Sequence, residues 1–373
     1  MLNAFIRRTR NVAALTATAL LLLTAIGNDH SWREATPGYD YSFPRDHGSH
    51  PNYKIEWWYY TGNLRAADGR RFGYQLTFFR SGINLRPASK SRWAVRDLFI
   101  AHFAVSDLDH DQFYFFEKLN RAGVSWAGVD ADGSRIWNDG WEASVTSDAH
   151  VLHAEGKDVK LDLRLVQRKA PVIHGSDGVS QKGSQEGNAS HYYSLTRLDS
   201  AGTIKLKGKR FDVKGTSWMD HEFGTSFLEE DDVGWDWLYV QLEDNRELML
   251  FVIRRKDGNI SPHSSGTLID PSGRTRGLSA TEFTLRPVEK WASLSSGATY
   301  PVHWEIVVPG ERLKLTVEAA MNDQELRTTE STGLAYWEGS THAKGIWGDE
   351  KIKGVGYLEM TGYTGRSMAS VFR

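Results

Sequence analysis

Short segments in which apolar and polar residues alternate recur along most of this chain. In residues 71–78, RFGYQLTF, a large apolar residue occupies every second position. This period of two predicts a strand with one apolar face. The same pattern predicts further strands at residues 98–107, 112–117, 150–155, 159–166, 203–206, 210–213, 235–242, 247–255, 281–285, 302–308 and 313–318. Since no long segment has a helical period, we expect an all-β protein in which antiparallel strands form closing sheets.

Aromatic residues are unusually frequent in these strands. They make up 12% of the 373 residues, with 14 Trp and 14 Tyr. A wide, aromatic-lined interior is the natural place for them. The chain has the length of about two domains, and the strand pattern starts again after residue 228. The segment YWEG at 336–339 also resembles EWW at 56–58, which favours two related halves.

The first residues have the pattern of an export signal. Arg7, Arg8 and Arg10 precede an apolar run at 12–26, and Ala25 and Gly27 supply small residues for cleavage. We therefore interpret residues 1–27 as a signal peptide and expect a periplasmic or secreted protein. An uncleaved anchor is the alternative, but the run is shorter than the roughly 20 residues that span a bilayer.

Cysteine content and charge exclude several classes of function. The chain has no Cys, which excludes disulfides, thiolate metal sites and cysteine nucleophiles. Without the three Arg of the signal peptide, 42 basic residues stand against 47 acidic ones, a net charge of −5. This slightly acidic balance without basic runs argues against nucleic acid as a partner.

Residues 174–190 form a polar segment rich in Gly, Ser and Gln. A loop of this length within a domain is commonly a mobile lid or a disordered segment. Because His191 follows it at the head of a strand, the loop is well placed to cover a site there.

Two segments carry candidate chemistry. Glu56 precedes four aromatic residues, and alternation places it on one face with Trp58 and Tyr60 while Trp57 lies on the other. In residues 216–224, TSWMDHEFG, three ionisable residues follow one another beside Trp218 and Phe223. They are Asp220, His221 and Glu222. Acids set among large apolar side chains are typical of acid–base sites, since burial moves a carboxyl pKa toward neutrality.

Other catalytic classes fit these residues less well. Adjacent residues of a strand face opposite ways, so at most two of residues 220–222 could share one metal ion. We therefore expect no metal. The chain contains no GxSxG motif, which argues against a serine hydrolase.

Several sequence blocks together resemble the AttH and carotenoid 1,2-hydratase (hydroxyneurosporene synthase) family of secreted proteins. They are IEWWYYTGNL at 55–64, WMDHEFG at 218–224, GWDWLYVQL at 234–242, YWEG at 336–339 and GVGYLEMTGY at 354–363. The resemblance implies a tandem of two lipocalin-like β-barrels, at 28–228 and 229–373, with no cofactor. Some relatives hydrate the terminal double bond of acyclic carotenoids, and distant fungal relatives fold polyenes in pericyclic cyclisations.

The resemblance also implies site residues. Asp220 and His221 match the Asp-His pair of the hydratases, and His191 matches their upstream His. Trp218 stands where those enzymes have Tyr, however, and Tyr193 where they have Trp. The chain therefore looks closer to the AttH branch than to the carotenoid hydratases.

These observations predict an acid-catalysed hydration of an isoprenoid or lipid. Asp220 is the expected proton donor and Glu56 a second acid, while His191 or His221 orients the acid or takes a proton from water. Aromatic rings stabilise the cation, and the candidates are Trp57, Trp218, Tyr193 and Trp235. The alternative is a non-catalytic carrier of a hydrophobic ligand.

For each of these residues a structural role is the competing interpretation. Asp220 could tie a domain junction together, and Glu56 could form a salt bridge with Arg80. The expected partners are a hydrophobic small molecule and, given the exported location, an inner-membrane ABC-type exporter. The protein is expected to be a monomer or a weak homo-oligomer.

Overall fold

The computed structural model describes residues 31–365 apart from residues 90, 92, 124, 131, 147 and 227. The predicted signal peptide, residues 1–27, lies outside the described residues. The described part is almost entirely β-structure, with two short 3-10 helices at Arg45–His47 and Pro309–Glu311. None of the helices in this part of the chain is long and apolar enough to cross a membrane.

The strands form two antiparallel sheets from consecutive parts of the chain. The first sheet contains β1 (Ile55–Ala66), β2 (Arg71–Gly82), β3 (Asp97–Asp107), β4 (Gln112–Arg121), β5 (Ala127–Val129), β6 (Arg135–Asn138), β7 (Trp141–Val145), β8 (His150–Gly156), β9 (Val159–Gln167), β10 (Val172–Ile173), β11 (Ser180–Gln181), β12 (Ala189–Leu206) and β13 (Lys209–Ser226). The second contains β14 (Asp232–Leu242), β15 (Glu247–Arg255), β16 (Ser265–Ile269), β17 (Thr275–Ser279), β18 (Thr284–Ala292), β19 (Thr299–Val308), β20 (Leu313–Ala319), β21 (Glu325–Thr328), β22 (Leu334–Trp347) and β23 (Glu350–Met360).

Neighbouring strands in each sheet are mostly neighbours along the chain, as short turns require. The first sheet runs β4-β3-β2-β1-β13-β12-β9-β8-β7-β6-β5, with β10 and β11 paired to β12. The second runs β17-β16-β15-β14-β23-β22-β20-β19-β18, with β21 paired to β22. The all-β prediction is confirmed. The limits 28–228 and 229–373 stay a prediction, although the first sheet ends at Ser226 and the second begins at Asp232.

Three large apolar cores among the described residues hold this architecture together. Each sheet curls around one of its own, and a third lies between the sheets. The third core includes Tyr59, Tyr192, Trp218, Trp237 and Phe251. Burial of such large rings is a major favourable term, about 25 cal/mol per Å² of apolar surface removed from water.

The strands at the junction of the sheets are buried on both faces. In β1, Trp58 and Tyr60 face the first core, whereas Tyr59 faces the core between the sheets. This explains why residues 57–60 are all aromatic. A strand that packs against protein on both sides needs large apolar side chains at every position.

Two predicted short strands, at 203–206 and 210–213, are instead the tips of one long hairpin. β12 and β13 each have 18 residues and are joined by Lys207 and Gly208, with φ of 47° and 84°. Positive φ at both positions of a two-residue loop matches the twist of paired strands. The Ser-Ala-Gly run at 200–202 is typical of a turn and therefore predicted a break, but in the structure these residues continue strand β12.

Residues 174–190, predicted to be a mobile lid or a disordered segment, fold against β12. Within them β11 pairs with the start of β12, and Val179 packs on Ala35 and Ala189. Lys182 of this segment is only 9% exposed. Backbone pairing therefore fixes a segment whose composition predicted mobility.

Candidate active site

A pocket lies between the two sheets. Strands β1, β2, β12 and β13 form one wall, and β14, β15, β22 and β23 form the other. The cavity has a volume of about 90 Å³. The lining residues are Trp57, Tyr59, Phe79, Lys182, Tyr192, Asp220, Glu222, Leu228, Trp235, Trp237, Phe251, Ile253, Glu338 and Glu359. Aromatic and aliphatic walls that hold several ionisable groups are typical of a ligand site.

Asp220 lies in the wall formed by the first sheet and is held by three donors. Trp218 Nε1 donates to its Oδ1 at 2.6 Å, Tyr192 OH donates to its Oδ2 at 3.0 Å, and Ser194 Oγ also donates to Oδ1. Asp220 is 4% exposed. Burial disfavours its charged form and raises the pKa of Asp220 to about 7, although the three hydrogen bonds act in the opposite direction. The carboxyl group therefore titrates near neutral pH.

A chain of hydrogen bonds runs behind Asp220 into the second sheet. Ser194 Oγ lies 2.7 Å from His174 Nε2, and His174 Nδ1 lies 2.8 Å from Thr267 Oγ1. Burial lowers the pKa of His174 to about 3, so its ring is neutral at physiological pH. A neutral ring can donate through one nitrogen and accept through the other. It can thus support either protonation state of Asp220.

Glu222, two residues after Asp220 on the same face, is paired with a cation. Lys182 Nζ lies 3.2 Å from Glu222 Oε1, and Ser190 Oγ donates to the same oxygen. The ammonium group also lies 3.9 Å from the ring centroid of Phe251, within cation–π range. Among the described lining residues Lys182 is the only cation, so the folded 174–190 segment supplies the pocket's positive charge.

Two further carboxyl groups, Glu338 and Glu359, lie in the wall formed by the second sheet. They are directly opposite each other across β22 and β23. Burial, followed by the charge of Glu359, raises the pKa of Glu338 well above its usual range, and burial raises the pKa of Glu359 to about 8. Like charges this close cannot both ionise at neutral pH.

The remaining walls are rings that present π faces and edges to the pocket. Tyr59 and Trp237 meet edge to face with centroids 5.3 Å apart, and Trp57 and Trp235 also line the pocket. Such faces can stabilise a carbocation at the pocket's centre.

A second polar cluster lies inside the first sheet, behind the pocket wall. Glu56 is at its centre, with Arg80 Nε 2.9 Å from Oε2 and His50 Nδ1 and His221 Nε2 at 2.7 and 2.9 Å from Oε1. Burial opposes the charge of Glu56, but Arg80 and the two imidazoles hold its pKa well below the usual range. Arg80 also pairs with Asp97 at 2.9 Å.

The groups of His50, Glu56 and His221 also have the spacing of metal ligands. Their ligand atoms lie within 4.8 Å of one another. The Arg80 guanidinium, however, lies 2.9 Å from Glu56 Oε2, and a metal ion bound to Glu56 would be repelled by it. The cluster is therefore a self-sufficient ion-pair network that anchors β1, β2 and β13.

The structure divides the predicted site residues between the pocket and the interior of the first sheet. Asp220, Trp57 and Trp235 line the pocket, and Trp218 supports Asp220. In the interior of the first sheet lie His221, Glu56, His191 and Tyr193. His191 Nδ1 lies 2.9 Å from the Gly178 carbonyl oxygen, and Tyr193 OH lies 3.1 Å from His221 Nδ1.

The strand period separates Asp220 from His221, because neighbouring side chains of β13 point to opposite faces. Sequence reasoning missed Glu338, Glu359 and Lys182. A local signal for the two Glu residues was present, since each is an acid flanked by large apolar residues, Glu338 after Tyr336 and Trp337 and Glu359 between Leu358 and Met360. For Lys182 there was none, because its place depends on the fold of a polar loop.

Comparisons with known proteins agree with this architecture. The sequence model described as AttH-like matches residues 34–363. A crystal structure assigned as AttH from Nitrosomonas europaea is 32% identical, with a TM-score of 0.80, and the match covers 89% of this chain and 99% of that one. No curated protein sequence matches this chain.

Two more distant structures share the fold. Kievitone hydratase from Nectria haematococca is 13% identical with a TM-score of 0.64, and the match covers 90% of this chain and 94% of that one. CghA with Sch210972 is also 13% identical, with a TM-score of 0.55 and coverage of 91% and 98%. The tandem of two lipocalin-like barrels is thus a shared architecture.

Proposed function

This chain belongs to the AttH-like family, and we propose that its inter-sheet pocket catalyses the acid-dependent addition of water to a carbon–carbon double bond of an apolar substrate. The observation that carries this proposal is Asp220, a buried carboxyl group whose pKa is raised to about 7 in an aromatic-lined pocket. An acid with a pKa near the working pH is well suited to proton transfer.

In the proposed reaction Asp220 is the general acid. The alkene π electrons take the proton of the Asp220 carboxyl group and form a C–H bond, which leaves a tertiary cation at the neighbouring carbon. A water oxygen then forms the C–O bond and loses a proton, and Asp220 is reprotonated. The rings of Trp57, Trp235 and Trp237 stabilise the cation through their π faces.

The comparison that favours water addition over other acid-dependent reactions is the shared fold with kievitone hydratase, a protein named for a hydration. The substrate class, an isoprenoid or lipid, rests on the apolar walls. Trp57, Phe79 and Phe251 offer a non-polar surface that a soluble polar metabolite would not match.

The proposal includes export of the protein. The basic and apolar pattern of residues 1–27 supports removal of a signal peptide and a periplasmic or secreted location. Determination of the N-terminal residue of protein taken from the periplasm tests this. A mature chain beginning at Asn28 supports export, and an intact Met1 argues against it.

Native mass spectrometry with organic extraction tests the function, comparing wild type with Asp220→Asn, both purified from the native host. We expect an apolar molecule on both proteins, differing by one water between them. The same unmodified lipid on both would instead identify a carrier, in which the acids only orient the ligand.

A further inference from the structure

Glu338 and Glu359 are unusual among the buried acids of this protein because they face each other. Glu338 of β22 and Glu359 of β23 both face the pocket. The register of the two strands places them side by side. Like charges directly opposite on a sheet destabilise it. Two apolar residues would pack here at lower cost, so the fold alone does not explain the pair.

The pair has no cation to balance it. Among the described residues no Lys or Arg forms an ion pair with either carboxyl group, whereas Lys182 is paired with Glu222 and Arg254 with Asp236 at 3.0 Å. Burial raises the pKa of both groups, that of Glu359 to about 8, so the pair comes to share a single proton only as pH rises toward 8. One group is then a hydrogen-bond donor, and the other is an acceptor of low charge.

One atom of the pair is unsatisfied. Glu338 is 1% exposed, and its Oε2 has no hydrogen bond of normal geometry among the described residues, although the Tyr59 hydroxyl lies near enough to lower the pKa of Glu338. The hydroxyl of Tyr357, two residues before Glu359 on the same face of β23, also has none. Buried polar atoms without protein partners are sites for an ordered water molecule or a polar ligand atom.

The pair and Asp220 lie in opposite walls. Asp220 extends from β13 of the first sheet, and the pair extends from β22 and β23 of the second. A substrate in the pocket would lie between them. A proton delivered from one wall and water delivered from the other would add to opposite faces of a double bond.

We infer that Glu338 and Glu359 hold the water that adds to the substrate and accept its proton. This role rests on the proposed hydration. The water O–H bond breaks as its oxygen lone pair forms the C–O bond to the cation, and the proton passes to the ionised member of the pair. The pair then carries one proton more and Asp220 one fewer, and proton transfer through solvent restores both.

Citronellol is a suitable probe, because most of the molecule is hydrocarbon and it carries one isolated trisubstituted double bond. The variants are Glu338→Gln and Glu359→Gln, which keep size and hydrogen bonding but cannot take the proton. The control is Glu325→Gln, because Glu325 is buried in the same sheet, outside the pocket lining, and bonded to Ser293 and Tyr300. The assay measures kcat and KM for hydration across pH.

We expect both pair variants to lower kcat by about 100-fold or more, the range of a lost general base, with KM nearly unchanged. The loss of rate that wild type shows as pH falls below about 8, where the pair takes up its second proton, should disappear in both. Glu325→Gln should keep the wild-type kcat and pH profile.

Infrared difference spectra between ligand-free wild type and each ligand-free variant give a second readout that needs no turnover. Near neutral pH, each pair variant should lose a C=O band of a protonated carboxyl group that Glu325→Gln retains. A spectrum unchanged in both pair variants would show that neither carboxyl group holds a proton near neutral pH and would overturn the inferred role.

The outcomes separate this inference from the proposed function. If Asp220→Asn loses hydration while both pair variants keep the wild-type kcat and pH profile, the role of the pair is wrong and the proposed function stands. If wild type adds water neither to citronellol nor to any molecule in an organic extract of the host's envelope, the proposed hydration is overturned and the role of the pair falls with it.

Discussion

The side chains of Asp220 and His221 lie on opposite faces of β13, in two separate polar sites. Asp220 Oδ2 accepts a hydrogen bond of 3.0 Å from Tyr192 in the pocket between the sheets. His221 Nε2 lies 2.9 Å from Glu56 Oε1 inside the first sheet. The two residues therefore cannot act as a catalytic dyad, and their substitutions should have different effects.

For His221→Ala we expect a loss of stability. The change leaves a cavity and removes a hydrogen bond to a buried carboxylate, at a cost on the order of 3 kcal/mol in free energy of unfolding. Urea denaturation measures this cost. Ligand binding by the folded fraction should be unchanged. Wild-type stability with abolished turnover would instead show that His221 acts in the chemistry.

The stability of the protein should depend on pH through Asp220. Its pKa is raised in the folded state to about 7, from 3.8. The stabilising contribution of the neutral form is therefore complete below pH 4 and is lost as pH rises toward 7. The loss is on the order of 4 kcal/mol.

Asp220→Asn should remove the part of the pH dependence of stability that Asp220 causes. The stability of the variant relative to wild type should therefore increase as pH rises. Denaturant midpoints across this range test the sign. Asp212→Asn, an exposed change on the same strand, is the control and should follow wild type. A parallel dependence in Asp220→Asn and wild type would contradict the raised pKa.

Trp218→Phe should raise the pKa of Asp220 further. The indole N–H stabilises the carboxylate through its 2.6 Å hydrogen bond to Oδ1, and the phenyl ring keeps most of the packing. A charge-assisted hydrogen bond corresponds to about one pKa unit. Carbon-13 NMR of the Asp carboxyl groups measures the shift. A lower pKa in the variant would show that the indole does not favour the charged form.

The close approach of the two sheets depends on Gly73 in β2. A Cβ atom there would lie 2.9 Å from Ser340 Cβ in β22. Gly73→Ala should therefore force the sheets apart and lower the free energy of unfolding by about 1–3 kcal/mol. Gly277→Ala is the matched control, because no atom lies within 4 Å of a Cβ at that position in β17. Equal midpoints for the two variants in urea would refute this account of the junction.

Alternation along the chain was enough to predict the all-β fold, since it directly reports which side chains face a core. It also predicted that Trp57 and Trp58 lie on different faces of β1, as observed. The same rule, applied to β13, would have separated Asp220 from His221. The resemblance to the Asp-His pair of the hydratases instead predicted that the two residues act in one site.

The rest of the site was beyond sequence reasoning for a physical reason. Glu338 and Glu359 come together only through the register of β22 with β23, and they meet Asp220 only because the two sheets pack face to face. Contacts between residues more than one hundred positions apart leave no local pattern. Lys182 reaches the pocket through a loop whose composition suggested disorder.

The most direct test of the central claim uses water labelled with heavy oxygen. Wild type and Asp220→Asn are each incubated in it with an organic extract of the host's envelope, and the products are analysed by mass spectrometry. We predict that wild type yields an apolar product heavier by one labelled water, and that Asp220→Asn yields little or none. Equal labelling by both proteins, or no labelled product with wild type, would contradict the role of Asp220 as the proton donor of a hydratase.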